Sequence, residues 1–350
     1  MPVILSTGIA QPPYVFRQAD VKPFVRDMFS DVFADIDRLL SVFENTGIDT
    51  RYFCVPIDWF KEYHQFKEKN ELYIEHAKAL GIQALQQALS KTDLKVSDIS
   101  HLFFVSTTGL STPSIDALIL NELEGNPHIK RTPIWGLGCA GGAAGLSRAY
   151  EYALGHPDQI VALITVELCG LTFQRNDLTK SNLVATSLFA DGAAAVLIGG
   201  EEHQSSGKAK IFANQSTLWP DTLDVMGWDI SSSGFHVIFS RDIPTIVKEK
   251  TAPDLQAFLA QQGVPEPRHY IIHPGGRKVL EAYQDAFSLS PDKLSVSEQV
   301  LREHGNMSSC TVIHVLDHFL HHQRILPGET GLIAALGPGF SSEMLLMEGL

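Results

Sequence analysis

The chain has 350 residues and a formal net charge of −13. This acidic excess argues against a nucleic acid as its partner. Four cysteines without metal-binding spacing predict free thiols in a reducing cytoplasm, and the sequence has neither a signal-peptide pattern nor an apolar stretch long enough for stable membrane anchoring. The length suits one compact body built from two similar halves.

Strands and helices alternate along the chain. Residues 21–43 and 72–89 are predicted to be helical. Continuous apolar runs predict strands that are buried on both faces, at 101–105, 160–166, 193–198, 270–273 and 331–336. This order indicates an α/β fold. A polar, glycine-rich segment at 199–207 predicts the boundary between a first half, residues 1–207, and a second half, residues 208–350.

Cys139 follows an apolar run and precedes a segment rich in glycine and alanine. The nearby glycines allow a sharp turn and leave space beside the sulfur. Because residues 147–154 are predicted to be helical, Cys139 is expected near a helix N-terminus, where the helix dipole lowers the pKa of a thiol. Cys139 is therefore a candidate nucleophile; the alternative is a small buried cysteine where helix meets strand.

His273 and Asn306 lie on two further glycine-containing turns. His273 ends a predicted strand and is followed by Pro-Gly-Gly, a position suited to contact with a ligand. Asn306 lies between two predicted helices, the first ending at Gly305. Together with Cys139 these residues predict a nucleophile with two polar partners.

Nearly the whole chain resembles the type III polyketide synthases, the chalcone synthase-like branch of the thiolase superfamily. The matching segments are 106–113, 134–146, Glu167, 187–193, 241–244, 273–276, 305–309 and 337–340. This resemblance implies a duplicated five-layer α-β-α-β-α fold and a homodimer. Among these enzymes the sequence is most similar to the bacterial alkylpyrone synthases, which use fatty acyl-CoA starters.

The resemblance also implies a reaction. Cys139 would take the acyl group of an acyl-CoA, while His273 and Asn306 would stabilise the charge that forms when malonyl-CoA loses carbon dioxide. Repeated condensation and ring closure would give alkylpyrone-type products. Phe189 matches the aromatic residue that separates the CoA tunnel from the cavity. CoA thioesters are the substrates, and neither a cofactor nor a metal is expected.

The resemblance assigns further residues to the cavity. The cavity-lining positions are Thr107, Thr108, Cys169, Thr172, Val237 and Ser308. Val237 stands where plant enzymes carry a second gatekeeping Phe, although Phe235 could take that role. Small side chains here favour a long aliphatic starter. Because CoA is polyanionic and the chain is acidic, the CoA phosphates are expected to meet a local basic rim, for which Arg51, Arg277 and Lys278 are the basic residues nearest the motifs. The expected CoA contacts are Arg51, Gly275, Gly276 and Lys278.

Other interpretations remain open from the sequence. A ketoacyl-(acyl carrier protein) synthase of the initiating type has the same fold and the same Cys/His/Asn set. A papain-like thiol hydrolase fits the α/β pattern poorly. A non-catalytic acyl-binding protein of this fold is disfavoured by the complete triad. His314, His318 and His321 share one face of a predicted helix, yet apolar residues on its other side give that helix an ordinary packing role without a metal.

Overall fold

The protein is described here by a computed structural model of residues 1–240, 242–322 and 325–350. Arg241 of the 241–244 motif lies outside these residues. The strands are β1 (Val3–Ala10), β2 (Tyr14–Arg17), β3 (Thr50–Phe53), β4 (Ile99–Val105), β5 (Lys130–Ile134), β6 (Ile160–Leu168), β7 (Asp191–Gly199), β8 (Ala209–Leu218), β9 (Met226–Ser231), β10 (Gly234–Phe239), β11 (His269–Ile272), β12 (Thr330–Gly337) and β13 (Ser341–Gly349).

The helices lie between these strands. They are α1 (Gln18–Phe29), α2 (Ile36–Leu39), α3 (Ser41–Asn45), α4 (Phe66–Leu89), α5 (Ile115–Glu122), α6 (Gly141–Leu154), α7 (Lys180–Leu188), α8 (Ile243–Ile246), α9 (Ala252–Gln261), α10 (Arg277–Phe287), α11 (Ser295–His304) and α12 (Ser309–His322). Within the described ranges, no helix has the length and apolar composition that crossing a membrane requires.

Nine strands form one hydrogen-bonded ladder in the order β11-β12-β13-β8-β1-β7-β6-β4-β5. The strands of the first half occupy one end of this order and those of the second half the other. The two blocks join where β1 pairs with β8, through Val3 opposite Lys210 and Ile4 opposite Ala209. Each predicted apolar run lies on a strand of this ladder.

Each block of strands is covered by helices on both faces, as the alternation of side chains requires. In β12, Ile333 faces a central core, whereas Leu332 faces an outer core. In β6, Leu163 faces the same central core and Ile164 an opposite outer core. Helices α6 and α12 lie in the centre, α4 on one outside, and α9 and α10 on the other. The predicted α/β class and five-layer order are confirmed.

Close packing of the two central helices depends on Gly142 of α6. A Cβ at this position would lie 2.1 Å from the backbone oxygen of Ser309 and 2.7 Å from Val312 Cγ1, both on α12. The helices therefore approach to a distance that only glycine permits. This contact fixes the beginning of α6, which follows Cys139, against the beginning of α12, which follows Asn306.

We expect Gly142→Ala to lower the free energy of unfolding by about 3 kcal/mol, because the added methyl group overpacks the central layer against backbone. The measurement is chemical denaturation followed by circular dichroism. Gly155→Ala is the matched control, since its Cβ would meet only the oxygen of Tyr152, at 3.6 Å. Equal effects of the two substitutions would contradict the proposed importance of the α6–α12 contact.

Candidate active site

Cys139 lies on a short 3₁₀ turn, Gly138–Ala140, directly before α6. Gly138 has a φ of +46°, and a Cβ there would lie 2.8 Å from the ring of Pro338. Glycine is therefore needed for both the backbone conformation and the close approach of the 337–340 segment. The turn holds Cys139 in the interior, with 6% of its surface exposed.

The prediction that the helix dipole lowers the pKa of the Cys139 thiol is wrong. Burial raises this pKa to about 12; hydrogen bonding with Ser308 lowers it, and the nearby charge of Glu167 raises it. Removal of water destabilises an isolated thiolate more than one helix end stabilises it. The sequence pattern located the helix but gave no measure of how deeply the sulfur is buried.

Asn306 is fixed by backbone hydrogen bonds to the segment around Phe189. Its backbone N–H donates to the oxygen of Leu188 at 2.9 Å, and its oxygen accepts from Ala190 N at 2.9 Å. Phe189 and Asn306 thus form an isolated parallel bridge. The turn after α11 is consequently held in place by a residue pair from the other half of the protein.

The side-chain amide of Asn306 contacts the predicted nucleophile. Its Oδ1 accepts from Ser308 N at 2.8 Å and lies 3.9 Å from Cys139 Sγ. Its Nδ2 donates to the oxygen of Gly275 at 3.0 Å. Because an amide nitrogen carries two hydrogens, one remains to donate to a ligand.

His273 follows β11 and is also buried, with 4% of its surface exposed. Its backbone N–H donates to Ala334 O at 2.8 Å, while neither ring nitrogen has a hydrogen-bond partner among the described residues. A Cβ at Gly275 would lie 3.7 Å from His273 Nε2. The ring therefore lies beside the glycine that holds Asn306.

The imidazole of His273 is a neutral base. Burial lowers its pKa to about 3, so the ring is uncharged at neutral pH and can accept a proton. A buried ring with two unpaired nitrogens is costly unless it serves a ligand or a reacting group. Transfer of a proton from Cys139 to His273 would create two opposite charges together, which avoids burying either charge alone.

Glu167 organises the polar residues beside Cys139. Its carboxylate accepts from Thr107 Oγ1 and Thr107 N, both at 3.0 Å, and from Ser309 Oγ at 2.6 Å. Burial raises the pKa of Glu167. Glu167 is one of the residues that carry the family resemblance, but no role was predicted for it. A charged residue at the end of a fully buried strand was the available signal.

Behind Phe189 lies an aromatic pocket with an empty volume of about 640 Å³, including its open mouth. We call it the aromatic pocket. Besides Phe189 and Trp228, its ring-bearing walls are Phe16, Phe24, Phe53, Phe60, Phe173 and Phe235. Most of these rings come from segments that carry no recognisable motif, and sequence reasoning missed them.

Four of the predicted cavity residues line the aromatic pocket, namely Phe189, Cys169, Thr172 and Val237. The others lie elsewhere. Thr107 donates to Glu167, and Ser308 donates to Asn306. Thr108 Oγ1 accepts from the backbone N–H of Leu168 at 2.9 Å.

Phe235 and Val237 both line the aromatic pocket, on the same face of β10. The two differ in their aromatic contacts. The ring of Phe189 lies 6.3 Å from Trp228, whose ring lies 6.0 Å from Phe235. Phe235 therefore continues the aromatic wall that begins at Phe189, and the small Val237 leaves room beside it.

Arg51 is not at a basic rim, so its predicted contact with the CoA phosphates is wrong. It is fully buried on β3 and lines the aromatic pocket. Its Nη1 donates to Thr186 O at 2.7 Å and to Phe189 O at 2.8 Å. The sequence showed that Arg51 is a basic residue near the motifs. It did not show that the side chain of Arg51 extends from β3 into the interior of the protein.

A groove on the other side of Leu188 contains the remaining predicted CoA contacts. Gly275, Gly276 and Lys278 line it, and so does Arg277. Two further basic residues at the groove, Arg38 and Lys180, were missed because they are distant in sequence from the motifs. Among the residues described, no acidic side chain lines this groove, although Arg38 pairs with Asp35 and Arg277 with Glu281. Lys180 and Lys278 leave the groove with an excess of positive charge in an acidic protein.

Among the histidines of α12, His314 is buried in the core, whereas His321 and His322 are exposed. His314 Nε2 donates to Ala193 O at 3.1 Å, and His321 Nδ1 lies 2.7 Å from Asp317 O. The ring of His318 lies 4.5 Å from that of His322. In the part of the chain that the structure describes, no three His, Cys, Asp or Glu side chains are grouped to hold a metal ion.

Comparison with protein families identifies the chain. Models of the N-terminal and C-terminal domains of chalcone and stilbene synthases match residues 1–202 and 210–350. The chain belongs to the chalcone and stilbene synthase family. It is therefore a type III polyketide synthase and an acyltransferase, as the motifs predicted.

Relatives match this type III polyketide synthase over nearly its full length. A protein of Bacillus subtilis (strain 168), whose name places it among the chalcone synthases, is 47% identical over 358 residues, covering 99% of this chain and 98% of the relative. A 1,3,6,8-tetrahydroxynaphthalene synthase of Streptomyces peucetius subsp. caesius is 39% identical over 348 residues, covering 98% and 92%.

Solved structures agree with the fold. The 1,3,6,8-tetrahydroxynaphthalene synthase of Streptomyces coelicolor A3(2), a bacterial type III polyketide synthase, superposes with a TM-score of 0.95 at 28% identity, covering 99% of both chains. PKS-I of the brown alga Ectocarpus siliculosus gives a TM-score of 0.92 at 26% identity, covering 100% of this chain and 98% of the other.

We expect His273→Gln to slow alkylation of Cys139 by iodoacetamide at pH 7 by about 100-fold or more. Burial raises the pKa of the isolated thiol to about 12, and the variant lacks the imidazole that we expect to take its proton. Intact-mass spectrometry against time gives the rate, and Cys139→Ala identifies the labelled residue, since the other three cysteines are also buried. An unchanged rate in His273→Gln would remove His273 from this role.

Proposed function

We propose that the protein condenses malonyl-CoA with an acyl starter held on Cys139, preferring long-chain fatty acyl-CoA, and forms alkylpyrone-type products. The observation that supports this proposal is a series of contacts: Cys139 Sγ lies beside the Asn306 amide, that amide bonds to Gly275, and Gly275 lies beside the unpaired His273 ring. No cofactor takes part, because the thioester substrates themselves are activated.

Acyl loading begins when His273 takes the thiol proton and Cys139 Sγ attacks the carbonyl carbon of the acyl-CoA. The tetrahedral intermediate collapses, the bond to the sulfur of CoA breaks, and CoA leaves with the proton from His273. The acyl group is then a thioester of Cys139. His273 returns to its neutral state with one ring N–H available as a donor.

Chain extension uses the same donors. The N–H of His273 and the free Nδ2 hydrogen of Asn306 would bond to the thioester oxygen of malonyl-CoA. As the carboxylate leaves as carbon dioxide, its electrons form an enolate whose oxygen these two donors stabilise. The enolate carbon attacks the acyl-Cys139 carbonyl, the Cys139 sulfur leaves, and the extended chain is carried on CoA for another round.

CoA is proposed to bind the basic groove. Lys278 and Lys180 supply positive charge for its phosphates, Arg38 remains paired with Asp35, and Gly275 and Gly276 permit close approach of the chain that leads to the site. The backbone oxygen of Gly275 already bonds to Asn306, so the groove and the proposed reacting groups are directly connected.

The acyl tail is proposed to enter the aromatic pocket. Its walls are mostly aromatic rings, with Arg51 among a few polar residues, and each buried CH₂ group of the tail contributes about 0.8 kcal/mol. Cys169 and Val237 keep part of the wall small. These features support a long alkyl chain in preference to a bulky aromatic starter.

The test is incubation of the purified protein with malonyl-CoA and a series of acyl-CoA starters of increasing length, followed by product identification. We expect alkylpyrones from long starters and no product from Cys139→Ala. An incubation with malonyl-CoA and no acyl-CoA starter is the necessary comparison, because one relative is named a 1,3,6,8-tetrahydroxynaphthalene synthase. Extension from malonyl-(acyl carrier protein) but not malonyl-CoA would favour the ketoacyl synthase alternative.

We also propose a boundary between the halves near residues 207 and 208, and a cytoplasmic location. The boundary is supported by the change between the two family models within 202–210. The location is supported by four free cysteines, all buried.

We expect Cys169→Phe to shorten the preferred starter, because a ring in the pocket wall excludes the distal methylene groups. Relative rates across the starter series measure the effect, and Cys169→Ala is the control that removes the thiol without filling space. Acylation of Cys139 by a short acyl-CoA should persist. An unchanged length profile would mean that Cys169 does not limit the chain.

We expect a homodimer. Trp135 and Leu110 are both nearly half exposed, and Trp135 Nε1 bonds to Gly109 O, so the two apolar groups belong to one surface beside the edge strand β5. A second copy is the partner that such a surface favours in a symmetric oligomer. Light scattering at micromolar concentration should give twice the chain mass, and a monomeric mass would refute the proposal.

A further inference from the structure

Arg51 presents two unused hydrogen-bond donors at the aromatic pocket. Its Nη1 is occupied by the backbone oxygens of Thr186 and Phe189. Its Nε and Nη2 are buried and have no acceptor among the described residues. The side chain is 1% exposed and lines the pocket. Unpaired donors of a buried guanidinium are costly, so their persistence points to an acceptor supplied by a ligand.

The surroundings of Arg51 favour a neutral acceptor over an anion. Burial lowers the pKa of Arg51 to about 9, while the charge of Asp191 raises it, so the guanidinium stays protonated at neutral pH. Asp191 already accepts from Gly170 N and Cys54 N and balances the positive charge without occupying Arg51. A carboxylate ligand would add a second buried negative charge, whereas a ketone oxygen accepts without adding charge.

Arg51 also lies close to the path of the growing chain. Phe189, whose oxygen it binds, is bridged to Asn306, which contacts Cys139 Sγ. Each condensation adds two carbons between the former starter carbonyl, which becomes a ketone, and the sulfur of CoA. When the extended chain is transferred from CoA back to Cys139, that ketone lies two carbons further from the Cys139 sulfur, towards the pocket that holds the apolar tail.

We propose that Nε and Nη2 of Arg51 bind the ketone oxygen of the extended β-keto acyl chain in the aromatic pocket, and that Arg51 thereby determines how many condensations precede release. This inference rests on the proposed function, because it needs a keto chain in the pocket. A starter with no ketone gains nothing from Arg51. The extended intermediate is held and presented for the next round.

Binding of stable analogues tests the proposal directly. A 3-oxoalkyl-CoA thioether carries the ketone but no thioester, and the alkyl-CoA thioether of equal length lacks only that oxygen. In the unaltered protein we expect the ketone analogue to bind about 10- to 100-fold more tightly by calorimetry. The ratio should fall to near one in Arg51→Met and to an intermediate value in Arg51→Lys, whereas Arg302→Met, an exposed arginine on α11, should keep it.

Product analysis gives a second readout. Arg51→Met should form predominantly the product of the first condensation and should lose the later condensations more than acylation of Cys139 by the starter, since loading involves no ketone. If Arg51 only positioned Phe189, loading and every condensation would fall together, and that result would overturn the proposal. Equal binding of the two analogues in the unaltered protein would also overturn it, even if both variants misfold.

Two further outcomes are distinguishable. An analogue with a terminal carboxylate is compared with the ketone analogue in the same assay. If the carboxylate analogue binds more tightly, and Arg51→Met abolishes that difference, the ligand of Arg51 is an anion and the proposal is contradicted. If long alkyl-CoA thioethers bind no more tightly than short ones, the proposed preference for a fatty acyl-CoA starter is wrong. The ketone comparison can then be made with short chains, so that this inference is tested independently.

Discussion

Two backbone hydrogen bonds between Asn306 and the segment around Phe189 determine the geometry of the whole site. They join the first half of the chain to the second. Leu188 faces the basic groove and Phe189 faces the aromatic pocket, so consecutive residues separate the two spaces. Asn306 is bonded to the residues on either side of Phe189. The positions of the Cys139 thiol, the basic groove and the aromatic pocket relative to one another are therefore fixed.

Burial then sets the electrostatics. Glu167, Asp191, Arg51 and His273 are all nearly inaccessible to water. Both carboxylates accept hydrogen bonds from backbone N–H groups, which hold their charges in place. In such an interior each fixed donor interacts more strongly with a developing charge than it would in water. The same burial disfavours a charge on Cys139 or on His273 alone, which is the reason that the proposed mechanism moves a proton from one to the other.

The sequence predicted features that depend on local pattern. Continuous apolar runs identify strands covered on both faces, and the turns of Cys139, His273 and Asn306 carry recognisable glycines. Features that depend on depth were inaccessible. Arg51 was expected at a surface and lies inside, and the pKa of the thiol was expected to fall and rises. Residues brought together from distant segments, such as Arg38 and Lys180, have no shared motif.

Gly305, in the second half of the chain, also packs closely against residues of the first half. It has a φ of +73°, and a Cβ there would lie 2.8 Å from Arg51 Cγ and 3.2 Å from Leu188 O. The absence of a side chain at Gly305 and the long stem of Arg51 therefore fit one another across 254 positions of sequence. When two relatives recombine, Gly305 and Arg51 must be inherited as a pair. A hybrid that exchanges one half of the chain takes these two residues from different parents, and their fit is then not assured.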